Sequence, residues 1–525
     1  MQPIQLIKGF LTVGMWTMLS RFLGFLRDIL IAARLGDGPI GEAFFVALTL
    51  PNMFRRFFAE GAFNMAFVPM FAKKLSDAED ANDFARDALS GLAAILIGLT
   101  LLAQAVMPWL VLALASGFLG DERFDMATVF ARITFPYILL ISMAALLSGV
   151  LNATGRFAAA AAAPVLLNVA LISAMLLAPP LGWDFGLAIS WAVPIAGVAQ
   201  LALLWRAAKG AGFAPRLRWP RITPDLKRLA IIAAPAMLAG GVVQINLIVG
   251  RQVASGFDGA ITYLILADRL YQLPLGVVAI AIGVVLLPEL SRRLADGDIE
   301  GGRDGLNRAT EFALLLTIPA AIALVVIAHP IVSVLYERGA FDADATAATA
   351  LATAIYGAGL PAFVLQKVLQ PLYFARHDTR TPFKYAVIAM VVNAVVALGL
   401  YRFIGFSAAA WATTIAGWAM VWLLWRGSRS MGREAEIDAR LRSRSMRIVA
   451  ASLAMAAVLL LVAWLLGPLL YAPFWRYLAL IALVGAGLAS YFGIGQWIGA
   501  FQFAELKSAL RRKGTAPPVT GDPTV

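Results

Sequence analysis

The sequence predicts an all-α polytopic membrane protein. It reads as fourteen transmembrane helices, built as two pseudo-symmetric six-helix lobes plus two C-terminal helices. Three observations carry this. Apolar residues make up 61% of the 525 and charged residues 14%, with a mean hydropathy of +0.80, against roughly 45–50% and 25% in soluble domains. Basic residues collect in every second loop. The chain also repeats itself at half its length.

A span needs about 20 apolar residues. Fourteen stretches qualify: about 10–33, 41–71, 87–114, 127–152, 159–179, 184–206, 226–254, 261–290, 307–335, 346–375, 382–402, 406–426, 446–467 and 475–500. The first lacks an A-x-A cleavage site and runs to full length, so it reads as a retained helix rather than a signal peptide. Pro51, Pro136, Pro274 and Pro361 fall inside spans and are expected to bend them.

Orientation follows from lysine and arginine. With the N-terminus in the cytoplasm, the loops on that side hold Lys73, Lys74 and Arg86, then Arg156, the run from Arg206 to Arg228, Arg292 to Arg308, Arg376 to Lys384, and seven Arg between Arg426 and Arg447. The opposite loops hold Arg34, Arg123, Arg338, Arg402 and Arg476. Both termini are therefore expected in the cytoplasm. The net charge of +12 reads as a topology signal and an affinity for anionic lipid head groups, with no nucleic acid as partner. The absence of cysteine excludes disulfides, Cys-ligated zinc and thiol catalysis.

The repeat pairs FVPMFAKKLSD, from Phe67, with LLPELSRRLAD, from Leu286. Pro69 and Pro288 stand 219 residues apart, and Pro164 and Pro382 stand 218 apart. Two matching offsets argue for two halves of the same orientation, an architecture of transporters whose site lies between repeats near midplane. The expected domains are 1–220 for spans 1–6, 221–440 for spans 7–12, 441–502 for spans 13–14, and a disordered Pro/Gly/Thr-rich tail at 503–525.

Charges inside the spans are the candidate functional residues. A charge at bilayer depth costs roughly 2.5–3.5 kcal/mol on insertion scales, so such residues usually face a cavity. The first span carries Arg21, Arg27 and Asp28, and the second Glu42, Arg55, Arg56 and Glu60. The eighth carries Asp268 and Arg269, and the tenth Lys367. The plainer readings are buried ion pairs of Arg21, Arg27 and Arg269 with Asp28 and Asp268, an interfacial cluster at Arg55, Arg56 and Glu60, and a snorkelling Lys367. The balance is positive, and Arg grips phosphate bidentately. A midplane cavity walled by Arg from both halves predicts an anionic, phosphorylated substrate. His329 and His377 are single and far apart, so no metal is expected. G-x-x-x-x-G-K-[ST] and G-x-S-x-G are absent, so neither an ATP site nor hydrolase chemistry is expected. The reading is a transporter, not an enzyme, with no cofactor.

Several motifs resemble one family. They are S-R-x-L-G-F-x-R-D at Ser20–Asp28, A-F-F-V-A-x-x-L-P-N-x-x-R-R at Ala43–Arg56, F-A-E-G-A-F at Phe58–Phe63 followed by F-V-P, F-P-Y-I-L-L-I-S at Phe135–Ser142, and A-D-R-L at Ala267–Leu270. They look like the MurJ (MviN) lipid II flippases, and the likeness runs the length of the chain.

The resemblance implies the fold of the multidrug/oligosaccharidyl-lipid/polysaccharide exporter superfamily, with two lobes around a central cavity and a lipid-tail groove at the last two helices. It implies a substrate, lipid II, moved from the inner to the outer leaflet of the bacterial inner membrane in peptidoglycan synthesis. It places substrate contacts on Arg21, Arg27, Arg55, Arg269 and Glu42, with Ser20 beside the first. Asp28, Arg56, Glu60, Asp268 and Lys367 stand as supporting charges. Where the family often has Asp, this chain has Glu42. Residues 382–402 contain no acid, so the sodium site described for some members is not implied here. A monomer is expected, with membrane lipids and cell-wall synthesis proteins as candidate partners. Two other readings stay open: a flippase for another polyprenyl-linked glycan, and an ion-coupled drug antiporter of the same fold.

Overall fold

A computed structural model describes residues 3–55, 62–77, 80–213, 215–281, 292–293, 296–376 and 378–502. Nineteen α-helices occur among them. The first eleven are α1 (Pro3–Leu35), α2 (Pro39–Arg55), α3 (Ala62–Ser76), α4 (Ala81–Ala105), α5 (Met107–Leu114), α6 (Glu122–Thr134), α7 (Tyr137–Ala153), α8 (Ala158–Leu177), α9 (Phe185–Gly210), α10 (Pro224–Ser255) and α11 (Ala260–Ala281). Then follow α12 (Ile299–Val326), α13 (Ala328–Tyr336), α14 (Ala343–Phe374), α15 (Arg380–Ile404), α16 (Ser407–Ser428), α17 (Ala439–Leu465), α18 (Gly467–Leu470) and α19 (Trp475–Trp497). No strand occurs among the described residues, only an isolated bridge between Arg338 and Phe341. The all-helical class is as the sequence predicts. Ten of the described helical segments are long and apolar enough to cross a membrane.

The helices start where short polar side chains take up the first free amides. Asp80 accepts from Asp83 N, Asp184 from Leu187 N, Thr223 from Leu226 N, Asp298 from Gly301 N and Asp438 from Leu441 N, each replacing a hydrogen bond that the first turn cannot make internally. Proline acts unevenly. Pro51, Pro274 and Pro361 remain inside α2, α11 and α14. At Phe135–Pro136 the stretch 127–152 divides into α6 and α7. Near Pro108 the stretch 87–114 divides into α4 and α5, where the ring removes an amide donor.

Two compact units divide the chain. The first comprises Met1–Asp268, Leu335–Ala352 and Ala386–Ala416. In it α8 packs along α1 and α9, α7 along α9, and α2 along α6. Gly197 lets α9 approach α7: a Cβ there would meet the Tyr137 ring at 2.7 Å. The Tyr137 hydroxyl donates to Gln200 Oε1 at 3.1 Å, and Gln200 Nε2 donates to the Ala163 carbonyl at 2.9 Å, so this buried polar pair is satisfied without water. Arg218 ties the loop before α10 to α4, with Nε 2.6 Å from Asp87 and its backbone N donating to Ser90 Oγ at 3.0 Å. The Asp87 hydrogen bond is the main reason its guanidinium is held above its ordinary pKa.

The second unit comprises Arg269–Val334, Thr353–Tyr385 and Gly417–Val525. There α17 packs against α12 and α19 around Leu315, Ile448, Met455, Leu459, Leu483 and Tyr491. The Tyr491 hydroxyl donates to the Leu315 carbonyl at 2.7 Å. Glu311 receives Arg308, Arg440 and Arg444, and Arg308 also reaches Asp438. One α12 carboxylate thereby gathers guanidiniums from the start of α17.

Gly36 turns α1 into α2 at φ +58°, and a Cβ there would lie 2.3 Å from the Ala340 carbonyl oxygen. Ala340 N in turn donates to the Ala33 carbonyl at 2.9 Å. Gly36→Ala is expected to destabilise the protein by about 1–3 kcal/mol, seen as a lower thermal midpoint in detergent. Gly98→Ala, with nothing within 4 Å of the added Cβ, is expected to leave that midpoint unchanged or raise it.

Candidate functional site

Helix α1 carries polar residues through an apolar element, and the structure separates their surroundings. Arg27 is half-buried. Its Nε and Nη2 both donate to Asp28 Oδ1, at 3.0 and 2.7 Å, and its Nη1 donates to Asn168 Oδ1 at 2.9 Å. Asn168 lies in α8 and is 5% exposed. Its Nδ2 donates to the Ser20 carbonyl at 3.0 Å. The pair of Arg27 and Asp28 is neutral as a whole, and the amide takes up a further guanidinium donor. This is what a charge removed from water requires.

Arg21, less than two turns before Arg27, is exposed. It sits at a cavity of about 410 Å³ lined by Thr17, Ser20 and Arg21 of α1, Ser148 and Asn152 of α7, and Phe157 at the start of α8, with Val13 of α1 and Ala160, Ala161 and Pro164 of α8 forming its apolar part. The positions 17, 20 and 21 share one face of α1, as helical spacing dictates. The wall is mixed and more apolar than polar, with one cation and no carboxylate among the residues that line it.

Glu42 stands elsewhere in the first unit. It is 1% exposed, accepts from Arg123 Nη1 at 2.7 Å on Oε2, and accepts from Ile261 N at 3.1 Å on Oε1. Arg123 also reaches Asp121 and, at 3.0 Å, Asp258, and its guanidinium lies 4.6 Å from the centre of the Phe118 ring. Nearby, Ser116 N and Oγ donate to Gln252 Oε1 at 2.9 and 2.6 Å, Gly117 N donates to Ser255 Oγ at 3.0 Å, and the Tyr263 hydroxyl donates to Asp37. Together they form a clasp at the end of this unit where the loops carry few basic residues.

The remaining candidates are dispersed. Arg55 is half-buried at the last residue of α2. Asp268 closes the first unit and Arg269, exposed, opens the second. Lys367 is exposed on α14 of the second unit. Arg56 and Glu60 lie outside the described residues. Among the described residues no cluster of three or more His, Asp or Glu could hold a metal.

Sequence reasoning missed Asn168, Ser148, Asn152 and Thr17, and took Arg123 only as an isolated loop charge. One signal was present: Asn168 is the single amide in the apolar run of α8, and an unpaired amide in hydrocarbon is costly.

The family model described as "Lipid II flippase MurJ" matches residues 31–485. The chain is 44% identical over 531 residues to the "Probable lipid II flippase MurJ" of Rhizobium meliloti (strain 1021), covering 98% of each chain. It is 41% identical over 524 residues to that of Rhizobium tropici, again covering 98% of each. In fold it is similar to the solved structure titled "Lipid II flippase MurJ, inward closed conformation", with a TM-score of 0.78 at 24% identity over 93% of this chain and 98% of that one. It also resembles an inward-facing multidrug resistance MATE transporter of the MOP superfamily, with a TM-score of 0.66 at 13% identity over 81% of this chain and 98% of that one.

Removing Arg123 would leave the Glu42 carboxylate buried with no cation. Arg123→Ala is expected to cost about 3–5 kcal/mol, read as a lowered thermal midpoint in detergent. The double variant Glu42→Gln, Arg123→Gln is expected to recover part of that loss.

Proposed function

The chain belongs to the MurJ lipid II flippase family, and from that premise we propose that it carries lipid II, the undecaprenyl-diphosphate-linked peptidoglycan precursor, from the inner to the outer leaflet of the bacterial inner membrane. The observation that carries this reading at the level of chemistry is Arg21, a guanidinium at the wall of a cavity between α1, α7 and α8 that also presents hydroxyls and a carboxamide. Diphosphate is the substrate group such a cation suits. Arg27, neutralised by Asp28 and held by Asn168, positions the turn that presents Arg21. Arg55 and Arg269 are further candidates for phosphate contact on the strength of the family motifs alone, and Ser20 lies beside Arg21. Arg56, Glu60, Asp268 and Lys367 balance charge along the path. Glu42, with both carboxylate oxygens engaged, acts through Arg123 rather than by touching substrate.

Transport proceeds by alternating access in a monomer. The repeats form two lobes, 1–220 and 221–440, and helices beyond 441 take the prenyl chain. The termini are cytoplasmic, as the basic loops suggest. No covalent chemistry is required, because translocation needs only a polar path and two accessible states. A membrane potential is worth about 2.3 kcal/mol per elementary charge per 100 mV, so with the inside negative an anionic head group moves outward downhill.

The test is depletion in the source bacterium with a leaflet-specific assay of the lipid-linked precursor. Accumulation in the inner leaflet is expected, and an unchanged distribution overturns the reading. In the same strain Arg21→Ala, at wild-type protein level, is expected to lose complementation, while Arg21→Lys keeps part of it by retaining charge without the bidentate fork. Dissipating the membrane potential is expected to slow outward movement.

A further inference from the structure

The cavity beside Arg21 offers more than a cation. Its volume of about 410 Å³ lies within the range of roughly 300–1,000 Å³ that small-molecule sites occupy. Around it stand two hydroxyls from α1, Thr17 and Ser20, one hydroxyl and one carboxamide from α7, Ser148 and Asn152, and the Phe157 ring. Among the described residues none of these four polar side chains, nor the Arg21 guanidinium, makes a hydrogen bond or ion pair. Some buried hydroxyls elsewhere among the described residues also lack a partner, those of Ser142 and Thr262 included, but others bond inward. Thr49, Ser190, Thr317 and Ser452 all return their hydroxyl protons to the carbonyl four residues back, at 2.7 Å. In the cavity that capacity is left open.

The mixture has a chemical meaning. Diphosphate asks for several cations or amide donors, and here there is one cation at the wall. Hydroxyl and carboxamide groups both donate and accept, which matches the alternating donors and acceptors of a pyranose and its N-acetyl group, and a ring offers an apolar face. An acidic peptide would find a single counter-charge. The wall is also held in shape. Asn168 fixes the Ser20 carbonyl and Arg27 together, so the turn of α1 that presents Ser20 and Arg21 cannot easily rotate. At the far side the turn between α7 and α8 is anchored by Arg156, whose Nη1 donates to the Gly210 carbonyl at 2.8 Å. This end of the first unit carries the basic loops, where a head group arriving from the cytoplasm first enters.

We propose that this cavity is the carbohydrate subsite of the translocated head group. Asn152, Ser148 and Thr17 hydrogen-bond the amino sugar attached to the diphosphate, Phe157 packs on its apolar face, and Arg21 at the wall holds the phosphate that joins sugar to prenyl chain. The proposal rests on the transport reading above. It adds that recognition of the sugar is a property of α1, α7 and α8, separable from recognition of phosphate.

The experiment measures binding of two probes to the full chain in nanodiscs: lipid II, and undecaprenyl diphosphate, which lacks the sugar. Wild-type protein is expected to bind lipid II more tightly. Asn152→Ala and Ser148→Ala are each expected to weaken lipid II by about three- to tenfold, the range of one lost hydrogen bond, and to leave undecaprenyl diphosphate within twofold. Arg21→Ala is expected to weaken both probes. Ala161→Trp, which fills the cavity, is expected to erase the preference for lipid II. Equal losses for both probes in the Asn152 and Ser148 variants, no loss for either, or no preference in the wild type would overturn the subsite while leaving the transport reading intact. Failure of the wild type to bind lipid II at all would instead strike the transport reading. Thermal midpoints equal to wild type exclude misfolding, and none is expected, since the Asn152 side chain is exposed and makes no hydrogen bond among the described residues.

Discussion

A guanidinium carried into a hydrocarbon layer must be answered, by a carboxylate, by a fixed dipole or by a wet cavity. In this protein Arg27 is answered by Asp28 and Asn168, and Arg21 by the cavity. The difference between them organises α1. The committed arginine fixes the helix against α8, and the uncommitted one lines the cavity with its donors open. Asn168 joins the two, because the same amide that binds Arg27 also holds the backbone at Ser20.

The same constraint shapes the clasp around Glu42. A carboxylate that is 1% exposed persists only because Arg123 and the Ile261 amide occupy its two oxygens. Those partners come from segments far apart in the chain, so the clasp ties together the ends of α2, α6 and α11.

In the second unit, charge does structural duty. Glu311 collects Arg308, Arg440 and Arg444 at the start of α17, next to a wholly apolar seam of Leu315, Met455, Leu459 and Leu483. Basic residues that look alike in composition therefore have separate roles. Some pin helices, as Arg440 and Arg444 do at Glu311, and Arg21 stays open at a cavity wall.

Much was legible in the sequence. The apolar runs, the basic loops and the charged residues on α1 all follow from local pattern, and they determine helices, their class and the helix that carries Arg21 and Arg27. The periodicity also determined that Thr17, Ser20 and Arg21 share a face, because 3.6 residues per turn is a local rule. The partners were not legible. Arg27 meets Asn168 across 141 residues, Glu42 meets Arg123 across 81, and Ser148 and Asn152 join Arg21 through the packing of α7 and α8 beside α1. Only the tertiary structure decided which arginine is neutralised and which stays open, because burial and partnership are set by how helices pack and not by the residues that flank a charge along the chain.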